Sequence, residues 1–315
     1  RALELNPTLD VVHVALGNLY QATGRHAASM ESYRQALRVN PASVSAMIGL
    51  GAVLAQINEP EEAERLLRRA IGLQPGNWSA YNALGAFLFN AGRYDEAAIQ
   101  YERVVALDRD NMVGFSNLGT AHMLAGRFDE AVPALQQAID IEPRAQTYST
   151  LGLMLYYLGD LDAAIEAHRS AIGLAPNDPL MWSNLGDALW IAGRRPEATT
   201  AFESARDLAL RALDVNPNDP YTQMDLAWIS TMLGQHEEAR RLIETARSQV
   251  PEDPYADYID GLVHMATGDT AAALAALQVA ADKGHSLEMM AAEPHLAPLW
   301  TNPEFVELTK PAAPH

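Results

Sequence analysis

Trp78–Arg109 reads WSAYNALGAFLFNAGRYDEAAIQYERVVALDR, and its spacing recurs along most of the 315-residue chain. Within it, Tyr81, Leu84, Gly85 and Leu88 fall at i, i+3, i+4 and i+7, which predicts one apolar stripe on a first helix. Gly92 ends that helix. A second helix begins at Tyr94 or Asp95 and carries Ala97, Tyr101 and Val104 at the same helical spacing. Two short amphipathic helices therefore face each other across a tight turn, and Gly85 and Ala97 are small where the two must approach.

The Gly85 slot gives the period. Gly17, Gly51, Gly85 and Gly119 stand 34 residues apart, Gly152 follows after 33, Gly186 after 34, Ala227 after 41 and Gly261 after 34. The turn glycine keeps the same beat through Gly24, Gly92, Gly126, Gly159, Gly193, Gly234 and Gly268, with Asn58 as its one substitute. Asn suits a turn that requires positive φ. Eight copies of a helix-turn-helix with an aromatic, a Leu-Gly pair, a turn Gly, an Ala and a closing Pro resemble the tetratricopeptide repeat. The resemblance implies an all-α fold, a right-handed superhelical solenoid of eight repeats over about residues 10–283. Residues 1–9 match the end of a truncated repeat, and residues 284–315 form a C-terminal helical cap.

A solenoid has no single core, so each repeat packs on its neighbours and length alone does not set a domain count. No run of 18 apolar residues is present, which gives no expectation of membrane insertion. The opening ALELNP after Arg1 matches the close of a repeat whose first helix is missing, and suggests a piece of a longer polypeptide. The compartment is therefore open, with the cytoplasm favoured over the periplasm. Zero cysteines exclude disulfides and thiol chemistry, and a net charge of -18 argues against nucleic acid as the main partner.

Departures from the pattern are few. Repeats close with Pro41, Pro75, Arg109 in place of proline, and Pro143; Ser29 stands where a small Ala is expected. Pro60 and Pro196 are expected at the first position of a second helix, where a missing N–H is harmless. Pro133 lies deeper and is expected to delay or bend its helix. In repeat six, Phe202 and Ala205 are followed by RDLALRALDVNP, seven residues longer than the pattern. Seven residues nearly restore the helical phase, so the second helix should lengthen by about 10 Å. After Gly284 the period stops, and HSLEMMAAEPHLAPLWTNPEFVELTK is expected to cover the open end of the stack, with a last helix begun by Asn302 and Pro303. This ending resembles the C-terminal region that follows such repeats in bacterial signalling proteins: eukaryotic-type serine/threonine kinases, adenylate cyclases and winged-helix regulators.

Motifs for catalysis are missing: the chain has no phosphate-binding Gly-rich loop followed by Lys, no G-x-S-x-G and no H-E-x-x-H. No catalytic residue, metal ligand or cofactor is assigned. His13, His122, His168 and His264 fall in interior slots and read as packed core; His285, His295 and His315 lie in the tail. Asp253, Asp257 and Asp260 hint at a calcium loop but lack its closing Glu. Asn77-Trp78-Ser79 is a formal glycosylation sequon.

In the repeat family the first helices line a concave groove. All eight lack Lys and Arg and together carry Asp10, Asp187, Asp225, Asp257 and Asp260, so the groove is expected to be neutral to acidic. That departs from repeat proteins that clamp a peptide carboxylate with Lys and Arg. Along the face opposite the interior stripe lie Asn18, Gln21, Gln56, Asn82, Phe89, Asn90, Asn117, Thr120, Tyr156, Tyr157, Asn184, Asp187, Trp190, Tyr221, Asp225 and Trp228. Amides can bond an extended backbone, and exposed Trp and Tyr anchor interfaces. The expected function is a non-enzymatic protein–protein interaction scaffold holding an apolar or basic protein or peptide segment, with affinity centred on Trp190, Trp228, Asp187 and Asp225. Alternatives are the regulatory region of a multidomain signalling enzyme, and self-assembly as a homo-oligomer through the N-terminal edge near Leu3 and Leu5. A glycosyltransferase carrying a repeat superhelix is a further reading, suggested by repeats three and four and disfavoured by the tail.

Overall fold

The computed structural model describes residues 9–310; the edge at Leu3 and Leu5, and His315, lie outside them. Sixteen helices form the eight repeats. They are α1 (Asp10–Ala22), α2 (His26–Val39), α3 (Val44–Gln56), α4 (Pro60–Leu73), α5 (Trp78–Asn90), α6 (Tyr94–Leu107), α7 (Met112–Leu124) and α8 (Phe128–Ile141). They continue as α9 (Ala145–Tyr157), α10 (Leu161–Leu174), α11 (Pro179–Ile191), α12 (Arg195–Val215), α13 (Pro220–Met232), α14 (His236–Gln249), α15 (Pro254–Ala266) and α16 (Thr270–Asp282). The tail adds α17 (Leu287–Ala292), a 3-10 turn (Pro294–Leu299) and α18 (Pro303–Leu308). No strand occurs among the described residues.

Backbone chemistry sets the turns. The glycine after each first helix has positive φ, from 71° at Gly24 to 85° at Gly268, and Asn58 takes 64° in the same slot as the one non-glycine with positive φ among the described residues. Packing sets the other glycine slot. A Cβ on Gly85 would stand 2.7 Å from the Tyr101 ring and one on Gly186 2.6 Å from the Phe202 ring, in each case a side chain sixteen residues on. The ring fills the space a Cβ would need, so the two helices of a repeat approach closely there. Repeat seven solves the same contact with Ala227 against a smaller Ile243, both buried in one cluster.

The chain divides into two compact units, residues 1–122 and 123–315. In the first unit α1, α3 and α5 touch one another as well as their own second helices. Ion pairs tie successive second helices: Arg93 reaches Glu64 on α4 at 2.7 Å and Glu96 on α6 at 2.6 Å. The Arg93 bond holds both carboxyls below the usual range.

In the second unit α9, α11, α13 and α15 again form a continuous layer. α12 runs 21 residues where the other second helices up to α14 have 14. Two details differ from expectation. α8 starts at Phe128, 34 residues after Tyr94 starts α6, and runs through Pro133, so the proline delays nothing. Pro196 is the second residue of α12, a position whose N–H also has no partner within the helix. Two cations of the last repeats are used structurally: Arg247 bonds Asp260 and Asp257, both at 2.6 Å, and Lys283 also bonds Asp257, which is 1 % exposed. The two aspartates therefore belong to the packing of α14, α15 and Lys283 rather than to a groove or a calcium loop.

The tail does more than cover the end of the stack. Its 3-10 turn contacts α15 and α18 packs on α16, where Asn302 accepts from the Glu304 and Phe305 N–H groups and Phe305 enters the core. Before that, residues 285–296 run back across the inner layer. Glu288 lies against the Gly126 turn and Met289 packs with Phe128, Leu135 and Met154. The C-terminal segment thus spans the first-helix face of the second unit as a strap.

Candidate functional site

The strap borders a partly open chamber of about 310 Å³ over α9, α11, α13 and α15. Its first-helix residues come from four successive repeats: Tyr156 and Tyr157 end α9, Asp187 lies on α11, Asp225 and Trp228 on α13, Tyr255 and Tyr258 on α15. The stacking of the first helices brings them to one wall, although only Asp187 and Trp228 share a repeat position. The strap supplies the opposite side with His285, Met289, Glu293 and His295.

Glu293 is the pin. Its carboxylate accepts the Tyr156 hydroxyl at 2.8 Å, the Tyr258 hydroxyl at 3.1 Å and the His295 backbone N–H at 3.0 Å. Burial drives its pKa up, opposed by His295 and by these donors. Burial and the nearby Glu293 charge push both tyrosines well above their usual value, so their hydroxyls stay protonated and able to donate. A second pin joins the strap to α11 and α13. Asp187 accepts from Trp228 Nε1 at 3.0 Å and from His295 Nε2 at 3.2 Å. Burial alone would lower the His295 pKa, but the Asp187 bond and charge, with Glu293, raise it.

Asp225 has no such cation. Burial, then Asp178 and Asp219, raise its pKa to about 7 against one opposing hydrogen bond from Tyr255. His168 and His285 are also lowered to about 4 by burial. The His168 Nδ1 and His285 Nε2 atoms have no hydrogen-bond partner among the described residues. Asp225, Tyr157, Tyr255 and His285 keep some accessible surface despite deep surroundings, and all four line the chamber.

The structure corrects the picture of an open aromatic groove in this half. Trp228 is 6 % exposed and spent on Asp187 and on an edge-on contact with His295; Tyr156 is buried under Glu293. Tyr157 is half-buried against Tyr156 and Phe128. Asn184 donates to Ser149 Oγ at 3.0 Å on the chamber wall. Trp190 is half-buried outside that wall, with the Arg195 guanidinium 3.6 Å above its ring, so it is engaged within its own repeat. The four proposed anchors are therefore covered or already partnered. His168 is buried as expected for its slot, whereas His13 and His264 are only half-buried.

In the first unit several of the expected groove residues keep accessible surface. Asn18 and Asn90 are exposed; Gln21, Asn82, Phe89 and Asn117 are half-buried. Tyr33 bonds Asn18 and Gln21 through its hydroxyl, Asn117 donates to Asn82 at 3.2 Å, and Phe89 packs edge-on against Tyr94. Charge differs sharply between units: residues 1–122 hold ten cationic and twelve acidic residues, and residues 123–315 hold twelve and 28.

Paired helices stacked with a recurring ring-on-glycine contact define a helical-repeat scaffold. Tetratricopeptide-repeat family profiles match residues 14–77, 54–111, 110–177, 149–220 and 200–259, and the chain belongs to the tetratricopeptide repeat family. Such a fold is a protein–protein interaction scaffold. Among curated proteins the chain is similar to the peroxisomal targeting signal receptors of Candida glabrata, 34% identical over 98 residues, and of Saccharomyces cerevisiae, 35% identical over 99. Each match takes 31% of this chain and spans only 15% of the relative's length. Similar solved structures include Pseudomonas aeruginosa pilF, with TM-score 0.56 and 19% identity over 67% of this chain and 93% of that one. YrrB, described as a TPR protein with an unusual peptide-binding site, matches with TM-score 0.52 and 23% identity over 57% and 93%. At these identities the likeness is one of fold.

Sequence reasoning missed Tyr255, Tyr258, His285, Glu293 and His295 as members of one site. A signal was present in part: Asp187, Asp225, Tyr156 and Tyr157 place polar groups on consecutive first helices that need partners when covered, and the tail carries Met289, Met290, Leu296 and Leu299 around Glu293 and His295.

Proposed function

We propose that the chain is a non-catalytic scaffold that holds an extended, apolar or basic segment of a partner protein along the first-helix face of residues 10–122. The observation that carries this reading is the open amide row on that face. Asn82 and Asn117 spend one hydrogen bond on each other, which leaves the Asn82 amide donors and an Asn117 carbonyl lone pair for a peptide backbone. Asn18, Gln21 and Asn90 extend the row, Phe89 adds apolar area, and Asp10 is the one charged side chain on α1, α3 and α5. An anionic segment would find no cation there, whereas an apolar or basic one meets no like charge. The partial likeness to targeting-signal receptors is in keeping with recognition of a protein segment, since their name describes that task.

In the second unit the equivalent face holds the chain's own residues 285–296, which fill the place a partner would take. The test is peptide phage display on the full chain. The reading expects enriched sequences that bind wild type and lose at least about tenfold affinity with Asn82→Ala and Asn117→Ala together, about 1.4 kcal/mol or more. Enriched sequences rich in Asp and Glu, or binding untouched by the double substitution, would contradict it.

A further inference from the structure

The chamber beneath the strap is larger than its closure needs. At about 310 Å³ it lies near the lower limit for small-molecule sites. Its wall combines the rings of Tyr156, Tyr157, Tyr255, Tyr258 and Trp228 with three carboxylates, and no Lys or Arg lines it. Aromatic faces and a carboxylate without a cationic partner both favour a cation. Of the three acids, Glu293 and Asp187 are occupied by the strap's pins, while Asp225 carries only Tyr255. A second observation also points to a ligand: His168, 1 % exposed, and His285 both line the chamber with a ring nitrogen unpartnered. A buried polar atom without a partner costs about 1–3 kcal/mol, and a neutral imidazole nitrogen can be satisfied by a donor or an acceptor according to its tautomer.

We propose that this chamber binds a small free primary amine in its ammonium form, with the charge on the Asp225 carboxylate, an aromatic or apolar body between the tyrosine rings, and a polar group such as a hydroxyl for the buried imidazoles. A quaternary ammonium would offer the charge but no N–H donor to Asp225. A carboxylate or phosphate would be repelled. The volume, near the lower limit for small-molecule sites, suits a small ligand, and the strap across the face favours a free molecule over a side chain that must trail a polypeptide past it. The site lies within residues 123–315 and is independent of the partner face proposed for residues 10–122, so either can fail alone.

The test is titration calorimetry on the full chain with 2-(4-hydroxyphenyl)ethylammonium, which has a ten-atom frame. Parallel titrations use 2-(4-hydroxyphenyl)ethanol, (4-hydroxyphenyl)acetate and Nα-acetyl-lysine methylamide, and Trp228 fluorescence reports from the chamber wall. The expected result is that the ammonium binds at least about tenfold more tightly than the alcohol, with no heat from the acetate and weaker binding of the lysine derivative. Asp225→Asn should remove that tenfold preference while thermal unfolding by circular dichroism shows the variant folded; Tyr255→Phe gives a second, conservative change that should weaken binding less. Equal binding of ammonium and alcohol, tighter binding of the lysine derivative, or a preference kept in folded Asp225→Asn would overturn the proposal. So would no heat from the ammonium up to about 10 mM, a concentration that detects affinities near 1 mM.

Discussion

Replacing Asp225 by Asn should stabilise the protein, and more so as pH rises. The carboxyl sits in the chamber wall with its pKa raised from 3.8 to about 7, first by burial and then by Asp178 and Asp219. A raised acid binds its proton more tightly when folded than when unfolded. Its neutral form therefore sets the full stability below the unfolded value near 4, and stability falls as pH climbs through the window from about 4 to about 7. A difference of about 3 units at about 1.4 kcal/mol each sets an upper bound near 4 kcal/mol on the penalty of the ionised form. Most of that develops between pH 5 and pH 8, so Asp225→Asn should gain about 2 kcal/mol on wild type over that interval. Urea unfolding followed by tryptophan fluorescence at pH 5 and pH 8 measures it, with the transition of residues 123–315 compared, because repeat arrays need not unfold in one step. An advantage that is the same at both pH values, or a variant less stable than wild type at pH 8, would refute the reasoning. A group kept at such cost is the kind that serves binding rather than folding.

Glu293→Ala removes the acceptor shared by Tyr156, Tyr258 and the His295 N–H. With two buried hydroxyls left unpaired at about 1–3 kcal/mol each, residues 285–299 should become open to hydrogen exchange and proteolysis, while Glu293→Gln, which keeps one carbonyl acceptor, should show a smaller effect. Arg247→Ala leaves Asp260 without its 2.6 Å partner and Asp257 with Lys283 alone; a loss of about 2–3 kcal/mol is expected in urea unfolding. Gly186→Ala drives a Cβ to 2.6 Å from a fully buried Phe202 ring. Overpacking of about 1–3 kcal/mol outweighs the roughly 1 kcal/mol gain in helix propensity, and adding Phe202→Leu should recover part of the loss in a thermal melt.

The repeats were legible because their information is local. A ring sixteen residues after a glycine, and a glycine or Asn58 at each turn, fix one helix pair at a time, and the seven extra residues of repeat six read directly as a longer α12. The site was less legible because it depends on contacts across 108 and 137 residues, between His295 and Asp187 and between Glu293 and Tyr156. Periodicity identifies the face on which Asp187, Asp225 and Trp228 lie, but it carries no information about what covers that face. Asp187, Asp225 and Trp228 face the chamber beneath the strap, whereas Trp190 lies outside it under the Arg195 guanidinium. In the first unit Asn18 and Asn90 keep their exposed positions, and the partner-binding role proposed for that face rests on them.

Hydrogen exchange of the full chain, free and bound to a phage-selected peptide, tests this division of labour most directly. The account expects residues 285–299 to be slow in the free protein and unchanged on binding, with new protection confined to α1, α3, α5 and α7. Peptide-induced exposure of residues 285–299, with protection appearing instead on α9, α11, α13 and α15, would contradict it and make the strap a displaceable occupant of the true partner site.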